Sequence, residues 1–184
     1  MRTSDCDILV IPGLANSGPD HWQTRWEARL STARRVEQDD WDWPRRDPWI
    51  ERLVEEVALA ERPVVLIAHS LGVVTVAQAA PGLAPGRVRG AFLVALPDVE
   101  SPDRVPAIVR PFAPLPRDPL PFPSLLVASR TDPHCAYECA EDVAYAWGSA
   151  LVDAGEAGHL NTASGHGPWP EGLMRFAGFL RTLT

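Results

Sequence analysis

The chain has 184 residues, the size of one domain, with enough hydrophobic content (46%) against charged content (22%) to bury a core rather than remain disordered. Seventeen basic and 24 acidic residues give a formal charge of −7, and lysine is absent. That balance excludes the basic footprint of a nucleic-acid binder and electrostatic adsorption to an anionic membrane.

Short apolar runs alternate with amphipathic stretches, the pattern of a mostly parallel α/β sheet. Ile8–Ile11 reads as a buried strand that ends at Pro12-Gly13. Pro19 to Leu30 reads as a helix, with Trp22, Trp26 and Leu30 at i, i+4 and i+8 and Pro19 in its first turn. A short strand is expected from Arg35 to Gln38. Asp47 is then expected to cap a helix with Pro48 at its first position and Trp49, Ile50, Leu53, Val54 and Val57 on its apolar face. Val64–Ala68 is continuous, β-branched and apolar, as a central strand covered on both faces must be. Leu71 to Ala80 reads as a helix stopped by Pro81-Gly82. Strands are expected at Ala91–Leu96, Ser124–Ser129 and Ala150–Asp153, with helices at Cys135–Trp147 and Glu171–Leu183. Between Pro97 and Pro123 lies one long irregular segment carrying nine prolines. Segments of that length in a compact domain are either functional or rigid excursions.

No repeat or linker divides the chain, so residues 1–184 are expected to form one three-layer domain. About six strands and helices on both faces are expected, without a large lid domain. No run of about 18 apolar residues is present, so no membrane span is expected. The N-terminal residues lack the apolar stretch of a secretory signal, and Cys6, Cys135 and Cys139 are too few for a disulfide framework. A reducing, cytoplasmic compartment is the expectation.

Five residues carry the chemistry: Ala68-His69-Ser70-Leu71-Gly72, between a strand and a helix. This is the context of the nucleophile elbow, G-x-S-x-G, whose tight turn requires small residues two before and two after the serine. Ala68 stands where that pattern has its first glycine, and Gly72 keeps the second. An ordinary strand-to-helix turn with a capping serine is the bland alternative. A serine hydroxyl needs a base within hydrogen-bond reach and an acid to orient that base, in the chain order Ser, Asp or Glu, His. His159 fits the base, since it follows the last strand in a glycine-flanked loop. His21 precedes the serine and reads as structural, and His69 is expected to point away from the hydroxyl. His134 and His166 occupy less characteristic positions. Asp132 fits the acid because it stands at the carboxyl end of a strand, where active groups gather in open α/β sheets. Asp98 follows the preceding strand by the same logic and competes with it.

The developing oxyanion needs two backbone N–H groups. Leu71, the residue after the nucleophile, supplies one, and the loop after the first strand supplies the other. Leu14 is the candidate there and Ala15 the alternate. Ala15, Asp98 and Trp169 are also candidate substrate contacts, Trp169 as an acyl-pocket wall or a packing anchor. His134, Cys135 and Cys139 are too few for a metal centre, and no phosphate-binding glycine loop follows a strand. Trp41 and Trp43 read as a hydrophobic plug.

Four segments together resemble the small serine hydrolases of the retinoblastoma-binding-protein-9/YdeN type, within the α/β-hydrolase superfamily. They are Pro12 to Gln23, Ala68 to Gly72, Ser129 to Pro133, and Gly158 to Asn161 continuing to Gly167-Pro168-Trp169-Pro170. The resemblance spans nearly the whole chain. It implies a compact hydrolase core with the nucleophile at Ser70, the acid at Asp132 and the base at His159, departing from the family pattern at Ala68. The expected activity is hydrolysis of a small-molecule carboxylic ester through an acyl-enzyme, with no metal or organic cofactor. A thioesterase or amidase would use the same groups. A protein-binding module with vestigial chemistry, working through the proline-rich segment, is the alternative from another class.

Overall fold

The computed structural model describes residues 1–184. Its six strands are β1 (Asp7–Ile11), β2 (Ala33–Arg35), β3 (Val64–His69), β4 (Val88–Val94), β5 (Ser124–Ala128) and β6 (Ala150–Asp153). They form one sheet in the order β2-β1-β3-β4-β5-β6, and every pairing is parallel. The helices are α1 (Trp22–Glu27), α2 (Arg46–Leu59), α3 (Leu71–Ala79), α4 (Tyr137–Trp147) and α5 (Pro170–Thr182).

Strand alternation divides the core. Leu9, Ile11, Leu66, Ala68, Leu93 and Leu126 face one side with the apolar faces of α2, α3 and α4. Ile8, Val65, Ile67, Phe92 and Val127 face the other, against Trp22 and Trp26 of α1 and Phe176, Phe179 and Leu180 of α5. The result is the three-layer α/β arrangement expected. β3 is buried at all six positions, as its unbroken apolar run requires. No helix is long and apolar enough to cross a membrane.

Several boundaries differ from the periodicity reading. α1 begins at Trp22 rather than Pro19, because Gly18 to His21 close a turn (His21 N–H to Gly18 O, 3.0 Å) and His21 caps the helix with its own ring. α2 begins at Arg46, with Arg45 rather than Asp47 as its cap; Asp47 and Pro48 lie in the first turn, where N–H groups lack helical partners anyway. β2 spans Ala33–Arg35 rather than 35–38, since β1 offers partners only from Ile8 to Val10; Val36 makes one last bond to Val10 and is buried. β4 starts earlier, at Val88, and stops at Val94 because Ala95 turns to a φ of 54°. α4 starts at Tyr137, after extended Ala136. Residues 97–123 are not irregular throughout: Ala107–Phe112 forms a 3₁₀ turn, and Val105, Val109 and Phe112 pack into the core beside α2 and α3.

The chain runs from β1 outward to β2, then back across to β3 and outward to β6. The loops after β1 and β3 therefore diverge at the carboxyl edge of the sheet, the switch point where open α/β sheets form crevices. Gln23 holds this point together. Its fully buried amide donates to Ile11 O and Ile67 O (both 3.2 Å) and accepts from the Ser17 hydroxyl (2.7 Å).

Candidate active site

Ser70 sits between β3 and α3 with φ 54° and ψ −126°, a strained conformation for a residue with a side chain. Its N–H is held by Val94 O (3.0 Å). The strain comes from tight packing of the turn. A β-carbon on Gly72 would stand 2.3 Å from Ile11 O and 2.7 Å from Pro12 O, so α3 starts against the end of β1 only because position 72 is glycine. Ala68 lies one register step below, paired with Ile11 and Leu93, and its methyl is fully buried toward α2 and α3. The elbow accommodates it.

The three candidate groups converge. His159 Nε2 lies 2.9 Å from Ser70 Oγ, and His159 Nδ1 lies 2.9 Å from both carboxylate oxygens of Asp132. Asp132 and His159 are buried. The loops that carry them are tied together. Ser129 Oγ accepts from Ala157 N–H (2.9 Å), and Thr131 Oγ1 accepts from Gly158 N–H (3.1 Å). Asp132 also accepts the His134 N–H (2.9 Å). Gly158 has φ 56° and leaves no room for a β-carbon beside Ser164, which turns the loop back over the sheet.

Two N–H groups flank Ser70. Leu71 is the first residue of α3, and Gly13 lies so close that a β-carbon there would meet Ser70 Cβ at 2.8 Å and Leu71 N at 3.1 Å. Leu14, next to Gly13, lines the cavity, and neither the Leu14 nor the Leu71 N–H donates to another atom of the chain. Ala15 cannot substitute for Leu14: it has φ 61°, and its N–H is taken by Trp41 O (2.9 Å).

The remaining expectations are corrected. Asp98 lies outside the cavity; its N–H bonds His134 O (2.8 Å) and its carboxylate accepts the Glu100 N–H (3.2 Å). Trp169 is no wall of the site. At φ 39° its indole turns into the core, 5.1 Å from Trp22 and stacked 5.8 Å from Trp26. Ala15 likewise does not line the cavity. Trp41 packs on Trp49, but Trp43 is exposed and plugs nothing.

Histidines reach the site in greater number than the sequence reading allowed. His69 points away from the hydroxyl, as expected, and donates Nε2–H to the backbone carbonyl of His159 (2.9 Å). Burial, with neighbouring His159 and His21, drives its pKa well below the usual histidine value. His21 stands 4.8 Å from the His69 ring, and its Nδ1 accepts the Gln23 N–H (3.2 Å). Burial, then the charges of Arg35 and His159, lower its pKa to about 4. The His134 ring meets the His159 ring edge-on at 4.5 Å. Placing a histidine beside the serine hinted at His69; His21 and His134 gave no separate signal.

A cavity of about 250 Å³ opens over Ser70. Leu14, Leu71, Val105 and Val109 form its apolar side, Asn16 and Asn161 are polar, and no Asp, Glu or Arg lines it.

Fold and site geometry are those of a small α/β-hydrolase. A family model described as serine hydrolase matches residues 8–178, and the chain belongs to that family. Among solved structures, a protein described as a YdeN-like hydrolase from Pectobacterium atrosepticum is 35% identical, with 96% of this chain and 91% of that chain covered and a TM-score of 0.84. The ydeN gene product of B. subtilis is 18% identical, with 96% and 99% covered and a TM-score of 0.77. An esterase domain from Rhodothermus marinus is 16% identical, with 96% and 87% covered and a TM-score of 0.69. The last two likenesses show the fold alone. No curated protein matches the chain.

Proposed function

We propose that this serine hydrolase cleaves carboxylic esters through an acyl-enzyme on Ser70. The observation that carries the reading is the unbroken 2.9 Å relay from Ser70 Oγ through His159 to Asp132. His159 Nε2 takes the hydroxyl proton as Ser70 Oγ bonds to the acyl carbon. The Leu14 and Leu71 N–H groups receive the oxyanion, the latter aided by the positive end of α3. Collapse breaks the carbon–oxygen bond of the ester, and the alcohol leaves with the proton from His159. Water then gives a proton to His159 and attacks the acyl carbon, and release of the acid returns a proton to Ser70. Asp132 keeps Nδ1 protonated and the ring aligned throughout.

The absence of any carboxylate or guanidinium from the lining supports a neutral ester over a substrate with a charged group near its scissile bond. The test is reaction with a fluorophosphonate followed by peptide mapping, together with turnover of short p-nitrophenyl esters. Labelling at Ser70 and loss of turnover in Ser70→Ala are expected. An adduct elsewhere, or an undiminished rate in that variant, overturns the assignment.

A further inference from the structure

The proline-rich segment 97–123 builds a wall of the cavity: Val105, Pro106 and Val109 face Ser70 across it. Its far part is anchored by burial of Phe112 and by hydrogen bonds from Trp147 Nε1 to Pro116 O (2.8 Å) and from the Gln78 amide to Phe112 O. The near part, residues 98–104, is tied to the far part by Arg110 Nη2–H to Pro102 O (3.0 Å) and by Arg117 to Glu100 (3.3 Å), buries Val99, and meets the loop after β5 through a further anchor. Asp98 N–H donates to His134 O (2.8 Å), His134 Nδ1–H donates to Arg104 O (2.8 Å), and Arg104 Nη1 reaches Pro133 O (3.5 Å). His134 is itself held from behind, because its N–H donates to Asp132. Its ring therefore stands between the His159 imidazole and the residue immediately before Val105.

We infer that His134 is a positioning residue that pins the 98–106 stretch as a cavity wall and so sets how long an apolar group the site accepts. This rests on the ester-hydrolase reading and adds a determinant of specificity to it. At about 250 Å³ the cavity falls below the roughly 300–1,000 Å³ of ordinary ligand pockets. Val105 and Val109 are buried, so toward that wall a longer chain is accommodated only if the wall moves.

Two readouts test the inference. The first needs no catalysis: the carbonyl that His134 holds belongs to the Arg104–Val105 bond, a trypsin site. In His134→Ala cleavage there accelerates, and in His134→Asn, whose amide N–H replaces the ring donor, it returns to the wild-type rate. The second is the ratio of kcat/KM for p-nitrophenyl octanoate over acetate, and for octyl acetate over ethyl acetate. One of the two ratios rises roughly tenfold in His134→Ala, about the discrimination one or two methylenes command in an apolar pocket, and falls back in His134→Asn. Val109→Ala, which trims the wall directly, raises the same ratio. Unchanged tryptic cleavage overturns the clamp. Faster cleavage with both ratios unchanged, or no rise in Val109→Ala, overturns the wall's role in selectivity. If the wild type turns over no ester, the ester-hydrolase reading fails separately, while the clamp is still decided by cleavage at Arg104.

Discussion

The α-carbon of Gly72 rests against the carbonyl of Ile11 so closely that any β-carbon would enter to 2.3 Å. The contact joins the first turn of α3 to the end of β1, and thereby brings the Leu71 N–H alongside the Gly13–Leu14 peptide. Gly72→Ala is expected to force the elbow away from β1. The Ile11 and Pro12 carbonyls it would meet are backbone and have no rotamer to yield, so a loss of roughly 2–4 kcal/mol of stability is expected, in the upper range for overpacking. Fluorophosphonate labelling of Ser70 is expected to slow with it. Ala68→Gly makes the opposite test. It restores the pattern's glycine two residues before the serine but loosens a strand, so a cost of about 1 kcal/mol with labelling retained is expected. Urea unfolding of both variants, paired with labelling rates, checks the two together.

Asp132 bonds His159 Nδ1 with both oxygens and has the His134 N–H as a further donor. Replacing it with Asn keeps the size of the side chain and removes the charge that holds Nδ1 protonated. The expected result for Asp132→Asn is a fall in kcat of roughly 10³–10⁴-fold with KM little changed, the pattern of a lost transition-state interaction. Steady-state kinetics on a short p-nitrophenyl ester measures it. A variant that keeps more than a tenth of the wild-type kcat would remove Asp132 from the relay.

The parts of this molecule readable from its sequence are those governed by local pattern. Val64–Ala68 could only be a strand buried on both faces, and the elbow motif after it marked the edge of the sheet where the site lies. Chain order and strand position then left Asp132 and Asp98 as candidate acids and favoured His159 as base, and the family resemblance pointed to Asp132. What was illegible depends on how loops close in space. Trp169 lies ten residues after His159 and reads as a neighbour, but a positive φ turns it into the core. His69 reaches the His159 carbonyl only because the loop after β6 folds back over β3, and no spacing encodes that. Within 97–123 a signal did exist. Val105, Val109 and Phe112 recur at i, i+4 and i+7, the spacing of one helical face, and they are buried together. The density of prolines around them conceals the pattern.

His21 and His69 make stability depend on pH. Both have folded pKa values below the ordinary 6.5, His21 at about 4 and His69 well below the usual histidine value, chiefly because burial disfavours the imidazolium. The unfolded chain therefore binds more protons than the folded one below about pH 6.5. Their contribution is fully present above that pH and is lost as pH falls; for His21 the loss is complete near pH 4. At about 1.4 kcal/mol per pH unit, His21 alone accounts for roughly 2 kcal/mol of lost stability between pH 7 and pH 5. His21→Asn keeps a side-chain acceptor for the Gln23 N–H and does not titrate. Its unfolding free energy is expected to fall by roughly 2 kcal/mol less over that interval than that of the wild type. Urea titrations at the two pH values decide the point; parallel losses in the two proteins would contradict it.

Gln23 offers the sharpest separation of scaffold from chemistry, because it touches neither Ser70 nor the cavity. Its amide satisfies two carbonyls, Ile11 O and Ile67 O, at the place where β1 and β3 stop pairing and their loops part. Gln23→Leu fills similar space but leaves both carbonyls, and the Ser17 hydroxyl, without their partner. With three groups at about 1–3 kcal/mol each, a destabilisation of at least roughly 3 kcal/mol is expected. Gln23→Glu replaces the donor with a buried carboxylate facing two carbonyl oxygens and is expected to be worse at neutral pH, recovering in part as acid protonates it. Since the β1 loop carries Leu14, labelling of Ser70 in Gln23→Leu is expected to slow even where the variant remains folded. Circular dichroism melts alongside labelling rates separate the two effects: a folded Gln23→Leu that labels at the wild-type rate would show that the oxyanion loop holds its position without the amide.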